Sequence, residues 1–220
     1  MRVIGGVARG RRLLSPRGPA GRGAWARGAA PGRARPTLDR VRVTLFDILA
    51  QPLARPPLEG SSFLDLYAGT GAVGIEALSR GAARVVMVES DPALCRLIAQ
   101  NLSRTGLRGP GAEVRCLSAD RALAALGRRR EHFHLVFLDP PYEAGLVEET
   151  LKMVDGWGVV APGGTAIAQH SSREEPADRV GGLQRFLRRS LGDTVLSFYR
   201  GAGAPPSAGG GPQQGGGGGA

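Results

Sequence analysis

Apolar and polar positions along this chain follow two periods in turn. Between 38 and 49 the residues Leu38, Val41, Leu45, Ile48 and Leu49 fall on one helical face, with Thr37 or Asp39 available as N-cap. Pro52, Pro56 and Pro57 stop that helix, and 58–62 forms a turn. Short apolar runs at 63–67, 84–89, 113–117, 133–138 and 165–169 then alternate with helical patterns over about 72–80, 92–104, 119–127 and 146–155. Strand and helix in alternation, with short connections, predict an α/β fold whose parallel sheet is covered on both faces. Asp91-Pro92 sets a carboxylate at an N-cap and a proline at the first helical position. The last runs, 183–187 and 194–199, lack a long crossover and predict an antiparallel pair closing the sheet edge. At the other end, 2–4 and 12–14 read as short strands of a hairpin, and no internal repeat is visible.

With 220 residues and 42% hydrophobic content, the chain supports one ordinary core. The expected organisation is a basic N-terminal extension over 1–37, a catalytic-size domain over 38–200, and a disordered tail over 201–220. That tail holds ten glycines, three prolines and no charge. No apolar run approaches the roughly 18 to 20 residues needed to cross a bilayer, so no membrane span or membrane partner is expected. Cys95 and Cys116 lack the paired spacing of a zinc site and are too few for a disulfide framework; both are expected as buried, reduced thiols of a cytoplasmic protein. His132 and His134 flank Phe133 and face opposite ways, and His170 ends another strand, so no metal site is expected.

The net charge of +10 is concentrated at one end. Residues 1–42 hold eleven arginines against one acid, Asp39, while 43–220 is formally neutral. Guanidinium groups match phosphate oxygens and release counterions on binding, so such an arm reads as a polyanion-binding surface. Codon preference accounts for arginine as the cation, since Lys152 is the only lysine, but not for the missing acids. An organelle transit peptide would also be rich in arginine, yet the glycines of 18–32 break any helix there; 20–34 reads as a flexible basic loop.

The candidate chemistry begins at Asp65-Leu-Tyr-Ala68-Gly69-Thr70-Gly71-Ala-Val-Gly74, a GxGxxG that leaves a strand and opens a helix. Glycines there permit either a tight structural turn or close approach of a nucleotide cofactor. Glu89 ends the next strand, where a carboxylate can accept both ribose hydroxyls, which points to an adenosine-containing cofactor. Asp65, four residues before Gly69, would repel a pyrophosphate but could hold an ammonium or lie near a sulfonium. S-adenosylmethionine carries both cations. After a third strand, Ala119-Asp120 could meet the adenine amine, and Asp120 reads equally as a helix N-terminal acid favoured by the macrodipole. The fourth strand ends in Asp139-Pro140-Pro141-Tyr142. Two prolines fix an extended backbone and remove two amide donors, leaving Asp139 and the Pro140 carbonyl to accept hydrogen bonds. Such acceptors suit an amine attached to an aromatic base, with Tyr142 stacking on that base. No Ser/His/Asp or Cys/His arrangement suggests a nucleophile, so methyl transfer would be a direct displacement.

These residues, in this order, resemble the class I S-adenosylmethionine-dependent methyltransferases. Met1-Arg-Val-Ile-Gly-Gly6, Arg9-Gly-Arg-Arg-Leu13, Arg35-Pro-Thr37, Asp39-Arg-Val-Arg42, Thr44-Leu-Phe46, Gly74-Ile-Glu-Ala-Leu-Ser-Arg-Gly81 and Asp139-Pro-Pro-Tyr142 narrow the resemblance, over about 1–200, to the RsmD family of 16S ribosomal RNA (guanine-N2)-methyltransferases. The resemblance implies a Rossmann-like sheet of seven strands, the last antiparallel, and a guanine amine in 16S rRNA or in the assembling small ribosomal subunit as substrate, with a monomeric enzyme expected. Asp65, Ala68, Gly69, Thr70, Gly71, Gly74, Glu89, Ala119 and Asp120 would bind the cofactor, and 139–142 the base. Arg9, Arg11, Arg12, Arg35, Thr37, Arg40 and Arg42 would lie along the RNA. Residues 19–34 exceed the usual family length, and the uncharged tail departs from its pattern. Competing readings are an amino-methyltransferase of DNA adenine or protein glutamine, and a non-catalytic RNA-binding assembly factor.

Overall fold

The computed structural model describes residues 1–16, 36–51, 56–141 and 145–201, with backbone alone for 36–38. The loop expected over 20–34, Arg35, the Thr37 side chain, Tyr142 and the tail from 202 onward lie outside the described residues.

Helix α1 (Pro36–Leu49) precedes a repeating unit of β1 (Ser62–Leu66), α2 (Ala72–Ser79), β2 (Arg84–Glu89), α3 (Pro92–Thr105), β3 (Ala112–Cys116), α4 (Ala119–Arg128), β4 (Phe133–Leu138), α5 (Leu146–Gly156) and β5 (Val160–Ser171). Three strands follow: β6 (Arg179–Val180), β7 (Leu183–Leu191) and β8 (Thr194–Gly201). The sheet order is β3-β2-β1-β4-β5-β8-β7-β6, parallel through β5 and antiparallel beyond it. Alternating strand residues feed two cores. One packs Phe63, Phe137, Ile167 and Phe198 against α1, α2 and α3; the other packs Leu64, Val136, Ala168 and Tyr199 against α4 and α5.

Several expectations need correction. The sheet has eight strands, not seven, because the two-residue β6 is too short to show a period. Strand β5 begins five residues earlier than its apolar run, since Pro162, Gly163 and Gly164 form an irregularity between the Phe133–Val160 and Leu135–Thr165 pairings. Strand β7 continues past Leu187 through Arg188, Arg189 and Ser190, which are exposed and so carry no alternation. Helix α1 starts at Pro36, leaving Thr37 and Asp39 inside its first turns rather than at the N-cap. Cys116 is exposed at the end of β3, while Cys95 is buried. The N-terminal hairpin is joined by a single bridge, Arg2 with Arg12. Within it the Val3, Gly10 and Leu13 amides donate to the Arg11, Val3 and Met1 carbonyls, and further hydrogen bonds go to the domain, since glycines 5, 6 and 10 give it little side-chain surface of its own.

That docking is polar and specific. Buried Glu76 of α2 accepts the Ile4 and Gly5 amides at 2.8 and 2.7 Å and pairs with Arg80 at 2.7 Å. Ser79 accepts the Ala8 amide at 2.9 Å and donates to the Gly5 carbonyl at 2.6 Å. Asn101 of α3, fully buried, accepts the Leu14 amide at 2.7 Å and donates to the Leu14 and Thr70 carbonyls at 3.2 and 3.0 Å. The open end of the hairpin therefore lies at the glycine loop, and its tip at the far end of α2. Closest approach is required at Gly6 (φ 73°), where a Cβ would meet the Ser79 carbonyl oxygen at 1.7 Å.

Candidate active site

Parallel pairing puts the carboxyl ends of β1, β2 and β4 side by side, and a carboxylate stands at each of those edges. Leu66 pairs with Val88 on one side and Leu138 on the other, so the next positions, Tyr67, Glu89 and Asp139, form the upper rim. The chain leaves β1 through three left-handed residues, Tyr67 (φ 63°), Gly69 (φ 57°) and Gly71 (φ 76°). Tyr67 holds a conformation that costs a non-glycine residue on the order of 1 kcal/mol, and its hydroxyl meets Thr150 Oγ1 of α5 at 2.9 Å. At Gly71 a Cβ would press on Ile98 at 3.0 Å, so both conformation and space require glycine.

Helix α2 has no side-chain cap at Gly71. Asp65 supplies the missing acceptor from the neighbouring strand, taking the Gly74 amide at 2.9 Å. Burial raises the Asp65 carboxyl to about 8, against the lowering bond from Gly74 and with further upward pushes from Asp139 and Glu89. Glu89 is fixed by three backbone donors: Gly69 at 2.8 Å to one oxygen, Ser90 and Asp91 at 2.8 and 2.9 Å to the other. Asp139 keeps partial access to solvent, yet burial raises its carboxyl to about 7, opposed by a hydrogen bond from Gln169. Gln169 follows Ala168, the register partner of Leu138, so it reaches Asp139 from the adjacent strand. Pro140 is buried beside it.

Glu89 and Asp139 thus stand on one rim with Asp65 buried just below it, and no cation is among the groups that act on Asp65 or Asp139. A cluster of that kind is complementary to a positively charged ligand, and the glycine loop gives that ligand backbone to lie on. S-adenosylmethionine fits this donor set. Among the described residues no group of three or more His, Cys, Asp and Glu is placed to hold a metal ion. Ala119 is buried at the start of α4, and Asp120 is exposed in its first turn, where hydrogen bonds from Ser118 and the Arg121 amide lower its carboxyl.

The basic residues separate into two kinds. Arg9, Arg11, Arg12 and Arg40 are exposed. Arg42 is not: it is 4% exposed, donates to the Arg2 carbonyl at 2.5 Å, and pairs with Asp39 at 3.0 Å and Glu76 at 3.9 Å. Burial lowers the Arg42 guanidinium, with Asp39 and Glu76 opposing. It holds the hairpin to α1 and α2 and is no part of an RNA surface. Sequence reasoning missed Tyr67, Glu76, Asn101 and Gln169. Gln169 carried one signal, a polar residue in an otherwise apolar strand; Glu76 carried another, an acid on the buried face of α2 four residues before Arg80.

A family model described as Conserved hypothetical protein 95 matches residues 1–200. The chain belongs to this family. Ribosomal RNA small subunit methyltransferase D of Escherichia coli is 37% identical over 159 residues, 71% of this chain and 69% of that protein. The structure of the Escherichia coli protein yhhF is 31% identical, with a TM-score of 0.74 over 93% of this chain and 99% of its own. A structure in complex with S-adenosylhomocysteine shares 12% identity and a TM-score of 0.61 over 76% of this chain and 50% of its own, a likeness of fold alone. The conserved hypothetical protein 95 family is the RsmD family that the sequence resembles, and the sheet is the Rossmann-like sheet of class I methyltransferases with one added edge strand.

Proposed function

We propose that the protein uses S-adenosylmethionine to methylate the exocyclic N2 amine of a guanine in small-subunit ribosomal RNA; the name of its Escherichia coli relative gives methylation of small-subunit ribosomal RNA for that protein. The observation that carries this reading is the acceptor corner of Asp139 and Pro140, steadied by Gln169, beside a carboxylate-rich rim over the glycine loop. When bound, S-adenosylmethionine supplies an electrophilic methyl group on a sulfonium. Glu89 contributes negative potential that favours a cation there and locks the Gly69 amide in place, and a cation bound nearby would draw Asp65 toward its ionised form. The nitrogen of a guanine amine is a weak nucleophile because its lone pair is delocalised into the ring. Hydrogen bonds from its two N–H groups to Asp139 and the Pro140 carbonyl favour the pyramidal form, in which the lone pair points at the methyl carbon. Asp139, raised by burial to about 7, would be able to take the proton that the amine gives up on methylation.

The test is tritiated methyl transfer to small-subunit RNA, and to particles lacking the mark, with the product nucleoside identified by mass. N2-methylguanosine is expected; no transfer to either substrate overturns the reading. Asp139→Ala should lower turnover by roughly two to four orders of magnitude while S-adenosylhomocysteine still binds with nearly unchanged affinity.

A further inference from the structure

The hairpin is not the only part of the chain without acids. Between Asp91 and Glu113 the sequence holds Arg96, Arg104 and Arg108 and no carboxylate. The fold sets the later part of α3 and the turn after it against the acid-free hairpin. Asn101 joins α3 to Leu14, and Arg11 Nη1 approaches the Arg104 carbonyl at 3.5 Å. Beside this seam lies an open, shallow cavity of about 410 Å³ lined by Leu14, Ala99, Gln100, Ser103, Arg104 and Arg108. Arg11, Arg12, Arg104 and Arg108 are all exposed, and none forms an ion pair among the described residues. Four arginines elsewhere in the domain are held by acids instead: Arg84 and Arg115 by Glu113 and Glu131, Arg185 by Glu175 and Asp178, Arg188 by Glu175. Unpaired guanidinium groups gathered in one groove are complementary to a chain of phosphates, which they bind through paired N–H donors.

Resting on the rRNA reading above, we propose that the groove between the hairpin and α3, walled by Arg104 and Arg108 with Arg11 beside Arg104, is a second RNA-backbone site. Arg104 stands about 18 Å along α3 from the helix start beside Glu89, at about 1.5 Å per residue, so the groove reaches RNA well away from the target base. Phosphate contacts there would position the substrate without reading its sequence.

The experiment compares the full chain with R104Q/R108Q and R104K/R108K, binding a small-subunit rRNA transcript between 50 and 200 mM salt. Each lost phosphate contact flattens the plot of log affinity against log salt by about 0.7 for single strands and 0.9 for duplex. The glutamine pair should therefore flatten the slope by about 1.4 to 1.8, and the lysine pair should retain it. Affinity for S-adenosylhomocysteine should match wild type in both variants, which shows that the fold is intact. A glutamine variant with a slope within about 0.5 of wild type would overturn the groove while leaving the rRNA reading standing. Wild-type protein that neither binds nor methylates RNA would instead remove the rRNA reading and the groove with it.

Discussion

Asp65 illustrates how a single side chain can serve a site at the expense of the fold. It is 1% exposed and raised to about 8, so near neutral pH the native protein holds a proton that the unfolded chain, with an ordinary carboxyl near 4, has released. The stability linked to that proton is complete below about pH 4 and declines as pH rises, until it is lost once the pH passes about 8. Asp65→Asn keeps an acceptor for the Gly74 amide and removes the titration. Its urea midpoint should exceed wild type at pH 8, on the order of a few kcal/mol, and converge with it toward pH 4. A constant difference between the two pH values would show that the carboxyl does not titrate in this window. Asp139 is raised for the same first reason, burial, and in each case one hydrogen bond opposes the shift, from Gln169 at Asp139 and from Gly74 at Asp65.

At the scale of elements, α2 is the junction between the glycine loop at one end and the hairpin along its length. Glu76→Ala removes the acceptor of two hairpin amides and leaves buried Arg42 with Asp39 alone, a change worth about 3 to 5 kcal/mol for a broken buried pair. Hydrogen exchange should show the Ile4 and Gly5 amides losing protection first, together with a lower unfolding midpoint. Unchanged exchange at those amides would mean that the hairpin is held by its apolar residues Val3, Ala8 and Leu13 alone. The strands and helices of the alternating unit were legible because each buries one face, so period and burial coincide. The edge was less so: Arg188, Arg189 and Ser190 are exposed in β7, and exposure erases alternation. The glycine loop, Glu89 and Asp139 were legible for a different reason, since motif spacing fixes where a strand ends. Arg42 was misread because its charge, viewed along the chain, is the same as that of Arg40, and only burial tells them apart.

For the whole molecule, that distinction becomes measurable. Arg40→Gln should flatten the salt dependence of RNA binding by about 0.7 to 0.9 and leave the thermal midpoint nearly unchanged, because the residue is exposed. Arg42→Gln should instead lower the midpoint, since it removes one of the two guanidinium groups beside buried Glu76 and weakens the hold on the Arg2 carbonyl. If Arg42→Gln proved fully stable and changed only the salt slope, the buried assignment of this residue would be wrong. The hairpin also sets an order of events during synthesis. Its anchors lie 71 to 87 residues downstream, at Glu76, Ser79 and Asn101. During synthesis the hairpin therefore waits, unlatched, until α3 has emerged, and slow closure of such distant contacts makes it a late step in maturation. A nascent chain stalled before residue 101 would expose its arginine-rich front to digestion, and release from the stall would shut it.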